Sequence, residues 1–250
     1  MKSRIEPLLD DRRSRTRLAG LADEVAAREW SYATAVSEVH VSRMSGAMWC
    51  CPNVYGPNIV FVVQGRKRAD LGGEVFRYDP DHYVVFAVPL PYEYEWDATP
   101  GEPLLAVSPA LEPTLLGEVL VVMDEPVPGE GDGEDGGLPR GISSTPITPD
   151  LGDSVARLLE CLRTPAEARV LGRQTVREIV YRVLRGERGG VLRALACREE
   201  HFTRIARVLR HPHAEYARPH INNDLARRAG MSVSAFHRYF KAVTATSPLQ

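Results

Sequence analysis

The stretch Asp224–Lys241, DLARRAGMSVSAFHRYFK, decides how the C-terminal part of the chain folds. Leu225 and Ala229 lie one helical turn apart, and the small Ala226 lets a second helix cross closely. Gly230 follows, the residue type that ends a helix by taking φ > 0. Ser232 is a good N-cap for a second helix. Phe236, Tyr239 and Phe240 repeat at i, i+3, i+4 and face the core. This is the skeleton of a helix-turn-helix whose second helix spans 233–242. Ser234, His237 and Arg238 are left on its outward face, with Lys241 one turn further on. In this motif the object outside is usually the major groove of DNA. Arg238 is the best base reader, because a guanidinium bonds a guanine edge bidentately. His237 suits a base or a phosphate, and Ser234 a close edge or a bridging water. Ser232 can combine capping with a phosphate contact, and Lys241 suits a phosphate. Leu225, Ala226, Gly230, Met231 and Phe236 are structural. Helical hairpins with a glycine turn also occur in proteins that never touch DNA, so the charge around the motif matters.

That charge is lopsided. The net charge is −2, yet residues 201–250 hold eight Lys/Arg against two Asp/Glu, leaving +6. The preceding 200 residues carry the balancing −8. The basic part coincides with the motif and favours double-stranded DNA as its partner. A hydrophobic share of 44% across 250 residues is enough for real cores in one large or two small domains. Nothing approaches the roughly 18 uninterrupted apolar residues of a membrane helix. The charged N-terminus lacks the apolar segment of a signal peptide. A soluble cytoplasmic protein without a membrane partner is expected. Cys50 and Cys51 are adjacent, Cys161 and Cys197 distant, and no CxxC occurs. The cysteines therefore read as small hydrophobes rather than as disulfides or metal ligands.

Working back from the motif, residues after 150 are helical. Leu151, Val155, Leu158, Leu159 and Leu162 line one face, and Pro165 opens a second helix carrying Val176, Ile179, Val180, Val183 and Leu184. A third helical segment is expected over 202–209. Residues 124–149 are rich in Gly, Pro and acids and read as a flexible linker. Their acids lack the alternate spacing and distal Glu of a calcium loop. Upstream the texture is all β. Residues 35–41 alternate, 58–64 are continuously apolar, and strands follow at 74–78, 82–88, 92–96 and 104–108. Gly65-Arg66-Lys67, Gly72-Gly73, Asp79-Pro80-Asp81 and Pro100-Gly101 supply turns. Short strands at this spacing indicate a sandwich or small barrel. Helices are expected over residues 1–30 and 113–123.

The string LARRAGMSVSAFHRYFKAVTATSPLQ, residues 225–250, resembles the first helix-turn-helix of the AraC-type (AraC/XylS) transcription regulators. Two further stretches, VVQGRKRADLGGEVFRYDPDHYVVFAV in the β region and VREIVYRVLRGERGGVLRAL at 176–195, resemble one subgroup of that family. The resemblance implies an α+β protein: an N-terminal cupin-like β-barrel, an all-α segment and a helix-turn-helix. The domains would be a sensing and dimerising unit at 1–123, the linker at 124–149, a helical hairpin at 150–200 and a DNA-binding unit at 201–250. It also implies a homodimer and a small-molecule effector in the β-domain. The family's DNA-binding domain normally holds two helix-turn-helix units, whereas this chain stops at Gln250, so a truncated form is expected.

No catalytic motif and no cofactor site emerges. His211, His213 and His220 include an HxH pair but lack further ligands at metal-binding spacing. His40 and His82 are the only histidines of the β region, without the clustered HxH of a metal cupin. Tyr83, Tyr92, Tyr94 and Trp96 could line an effector pocket or pack the barrel. Two other readings stay open: a small-molecule-binding or enzymatic cupin whose C-terminal helices only pack, and a dimerisation module acting on full-length relatives.

Overall fold

Strand β4 (Asn58–Gln64) is buried along both of its faces, as its unbroken apolar run predicts. In the computed structural model it lies inside a six-stranded antiparallel sheet. The model describes residues 6–71, 74–88, 90–123, 141–186, 189–196, 204–205, 208 and 221–244. The sheet order is β1 (Trp30–Ala33), β2 (Val39–Met44), β9 (Leu104–Pro109), β4, β7 (His82–Phe86) and β10 (Ile142–Pro146). A second sheet runs β3 (Met48–Tyr55), β8 (Leu90–Asp97), β5 (Arg66–Leu71) and β6 (Glu74–Tyr78). The two sheets face each other: the ring of Phe86 on the first lies 6.0 Å from that of Tyr78 on the second. The opposite face of the six-stranded sheet turns to the helices. There Tyr83 packs on Phe61 at 5.6 Å.

Seven helices have described bounds: α1 (Glu6–Val25), α2 (Pro113–Met123), α3 (Pro149–Leu162), α4 (Pro165–Arg185), α5 (Gly189–Ala196), α6 (Ile221–Ala229) and α7 (Val233–Thr244). Their ends follow local chemistry. Thr148 and Thr164 cap α3 and α4, their hydroxyls accepting from the N–H groups of Leu151 and Glu167, and a proline occupies the first turn of each. At the end of α1 the carbonyls of Val25 and Ala26 accept from the Tyr32 hydroxyl and the Arg43 guanidinium, which satisfies groups a helix leaves open. α3 and α4 are tied by Glu178, which accepts from Arg157 at 2.5 Å, Arg182 at 2.9 Å and Ser154 at 3.0 Å. Burial alone would raise the Glu178 carboxyl; the bonds from Arg157, Arg182 and Ser154 outweigh it and hold the group below the ordinary carboxylate range. Cys161 is buried, its Sγ donates to the Leu158 carbonyl at 3.2 Å, and burial pushes its thiol up, as a packing residue requires.

The α+β class is as expected, and the β-domain comprises two sheets with no hydrogen-bonded closure between them among the described residues. Three expectations change. Residues 142–146, read as linker, form β10, which pairs with β7 from Ile142↔Phe86 to Pro146↔His82. The first helix, expected over residues 1–30, ends at Val25, and Trp30–Ala33 form strand β1, paired with β2. Arg66-Lys67, read as a turn, begin strand β5. Of the third helical segment only Arg204, Ile205 and Val208 are described, all helical. Residues 124–140, Cys197, His211, His213 and His220 lie outside the described residues, as do 245–250.

Candidate nucleic-acid interface

The turn between α6 and α7 is built as its sequence predicts. Gly230 has φ 64°. Its N–H donates to the Arg227 carbonyl at 3.0 Å, and the Met231 N–H reaches back to the Ala226 carbonyl at 2.9 Å. That pair of bonds is a Schellman ending, which satisfies the last carbonyls of α6 and needs a residue tolerant of positive φ. The Arg204 guanidinium donates to the Gly230 carbonyl at 2.8 Å, anchoring the turn to the helical segment before it. On the far side the Ser232 hydroxyl accepts from the Ala235 N–H at 3.3 Å and caps α7. Leu225, Ala226, Ala229, Phe236, Phe240 and Val243 are buried.

The structure places Ser234, His237, Arg238 and Lys241 along a single face of α7, at i, i+3, i+4 and i+7. Ser234, Arg238 and Lys241 are exposed, and His237 is half-buried with Phe236 edge-on at 6.2 Å. The Arg238 guanidinium lies 4.7 Å above the Tyr239 ring and donates to its hydroxyl at 3.1 Å. To reach a base it must swing off that ring. Ser234 shares a 3.3 Å hydrogen bond with Ser232. Ser232 itself is committed to its cap, so any phosphate contact would be additional. Two exposed cations at the end of α6, Arg227 and Arg228, flank the turn; Arg227 pairs with Asp224 at 2.6 Å. They stand in plain sight in LARRAG, but sequence reading assigned that helix only a packing role.

The other end of α7 meets the β-domain. The Val243 carbonyl, in the last turn, accepts from the Gly141 N–H at 2.7 Å, and the Gly141 carbonyl accepts from the Ala87 N–H at 2.8 Å. One glycine thus bridges α7 and the six-stranded sheet. A Cβ at 141 would stand 2.3 Å from Val88 Cγ2 and 3.1 Å from the Val243 carbonyl oxygen, so only glycine allows this approach.

Residues 35–191 match the family described as AraC-type transcriptional regulator N-terminus. The chain belongs to the AraC-type transcriptional regulators. The match covers every strand of the two sheets except β1 and continues through α4, and so supports the resemblance read upstream of the helix-turn-helix. Among solved structures, ToxT from Vibrio cholerae O395 is similar at 12% identity over 84% of this chain and 95% of ToxT, with a TM-score of 0.37. The AraC-like transcriptional activator CuxR is similar at 11% identity over 84% of this chain and 72% of CuxR, with a TM-score of 0.41. No curated protein matches the chain.

Of the other candidate residues, His82 bonds Asp79 through Nδ1 at 2.9 Å, and His40 is exposed on β2. No cluster of three metal-ligating side chains occurs among the described residues. No described helix is long and apolar enough to cross a membrane. Tyr83 turns toward the helices, whereas Tyr94 and Trp96 stack at 5.3 Å against the inside of the four-stranded sheet. The Tyr92 side chain lies outside the described residues.

Proposed function

We propose that this AraC-type regulator binds double-stranded DNA in a sequence-specific way, with α7 in the major groove, and that its β-domain takes a small-molecule effector. The observation that carries the DNA reading is the geometry of α7. Its N-terminus is capped by Ser232 at a Schellman turn, Phe236 and Phe240 are buried, and Ser234, His237, Arg238 and Lys241 stand outward together. A helix held by its apolar face with a short polar and basic stripe free is what groove recognition requires. Arg238 reads a base edge, His237 a base or phosphate, Ser234 a close edge or water, and Lys241 with Ser232 the backbone. A homodimer, acting in the cytoplasm, would present two such helices to half-sites about one helical turn apart. The domain plan is a sensing unit up to residue 123, a linker now shortened at its C-terminal side by β10, the α3–α4 hairpin and the DNA-binding unit from 201.

Selection from a random duplex library with the immobilised full chain tests this. The expected result is enrichment of one motif, bound at fixed salt at least about a hundredfold more tightly than a scrambled duplex. Failure to enrich any motif would contradict it.

A further inference from the structure

Arg238 and Tyr239 are consecutive residues of α7. Neighbours in sequence do not face each other on a helix. The Arg238 guanidinium nevertheless lies 4.7 Å over the Tyr239 ring, and its Nη2 donates to the Tyr239 hydroxyl at 3.1 Å. It thus lies across the helix surface instead of projecting from it. The two side chains differ in freedom. Tyr239 is half-buried and packs against the apolar core, which fixes its ring, whereas Arg238 is exposed. The ring is therefore the seat, and the guanidinium is the part that moves. No Asp or Glu follows Asp224 in the sequence, so α7 itself offers Arg238 no carboxylate.

The kind of seat decides what can empty it. A carboxylate would grip a guanidinium through paired charge-assisted bonds. A ring face and one hydroxyl hold it more weakly. A cation over an exposed ring is favoured by about two- to fivefold, whereas a bidentate guanine contact discriminates by roughly five- to a hundredfold. A guanine edge therefore outcompetes the ring. A base that offers a single acceptor gives too little to draw the guanidinium away.

We infer that Tyr239 is a positioning residue that sets a threshold for base reading by Arg238: its ring and hydroxyl hold the guanidinium off the DNA until a two-acceptor base edge replaces them. This rests on the reading that Arg238 contacts a base, and adds what restrains it. The seat is filled in the free protein and left in the specific complex. It therefore subtracts from specific binding, and subtracts less from binding to duplexes that lack the edge.

Two measurements on the full chain test this. The first is NMR of the free protein with isotope-labelled arginine, the Arg238 signals being those that Arg238→Ala removes. They are expected upfield of the ordinary arginine range because they lie over a ring. Tyr239→Phe keeps that shift and Tyr239→Leu abolishes it. The second is a double-mutant cycle by fluorescence anisotropy on the duplex enriched by selection, at one stated salt concentration. Tyr239→Leu is expected to bind about two- to fivefold more tightly than wild type, and Tyr239→Phe to gain less because it keeps the ring. In the Arg238→Ala background Tyr239→Leu changes nothing, since the restrained group is gone. Arg238 signals at ordinary positions in the wild type would overturn the seat without any substitution in a packed position. Unchanged or weaker binding by Tyr239→Leu, or the same gain with Arg238→Ala, would overturn the threshold while a loss in Arg238→Ala alone leaves base reading in place. Wild-type binding by Arg238→Ala would remove base reading and this inference together.

Discussion

In the two-sheet domain Phe61, Tyr78, Tyr83 and Phe86 are fully enclosed, together with Ile59, Leu71 and Leu105. In α6 and α7, Phe236 is the only side chain of comparable size so enclosed among the described residues. The sheets are held by many ladder bonds and a broad apolar interior, so no single polar contact decides their shape. The helix-turn-helix has a small core, and its geometry depends on a few specific bonds: the Schellman pair at Gly230, the Ser232 cap, the Arg204 anchor and the Gly141–Val243 bridge. A region with little buried surface opens more readily than a broad core. The helix-turn-helix is thus the part whose placement a small free-energy change can alter, and Gly141 is where the stable part touches it.

Damage to the broad core gives the largest effect. Phe61→Ala should cost about 3–5 kcal/mol, seen as a lower urea midpoint for the whole sheet signal; a loss under about 1 kcal/mol would mean the interior is looser than the enclosure of Phe61 implies. Gly141→Val should cost about 1–3 kcal/mol through overlap with Val88 and Val243. Hydrogen exchange would locate that loss: amides of 225–244 should exchange faster while those of β4 stay protected. If protection falls equally in both regions, the bridge is not a separate joint.

The helical hairpin lies between these extremes. Glu178→Gln should cost roughly 1 kcal/mol at neutral pH, since the carboxylate is partly exposed and screened. Its carboxyl titrates lower folded than unfolded. Its contribution is therefore fully present above the unfolded carboxylate pKa and is lost as pH falls through the folded value. Melting curves of the two proteins should converge in acid, and a gap that persists or widens there would contradict the Arg157–Glu178–Arg182 network. Ser232→Ala, removing one cap, should cost about 0.5–1 kcal/mol, confined to α7 and detectable as faster exchange at Ala235. A change spread through α3 and α4 would point to a role other than capping.

Much of this comparison is visible in the sequence because the periods are clean. The apolar run 58–64, the alternation at 74–78, the 3.6-residue stripes of α3 and α4 and the glycine-serine turn at 230–232 all describe themselves locally. Other features depend on partners distant in sequence. Ile142–Pro146 is short and carries Ser143 and Thr145 inward, and only the exposed edge of β7 makes it a strand. β3 contains Pro52 and a register shift between Met48 and Cys51, so it has no steady period. Lys67 follows Gly65 in a stretch whose local sequence suits a turn; its inward direction follows from pairing with β6 and β8. The Gly141–Val243 bridge joins residues more than a hundred positions apart, and no local pattern announces it.

The central claim is that the outward face of α7 reads bases, and fluorescence anisotropy with Arg238→Ala tests it most directly. On the duplex enriched by selection, at one stated salt concentration, the account predicts a loss of about 1–3 kcal/mol and relaxed discrimination at one base pair. Lys241→Ala, measured alongside, should weaken specific and scrambled duplexes alike. Wild-type affinity and unchanged base preference in Arg238→Ala would contradict the account.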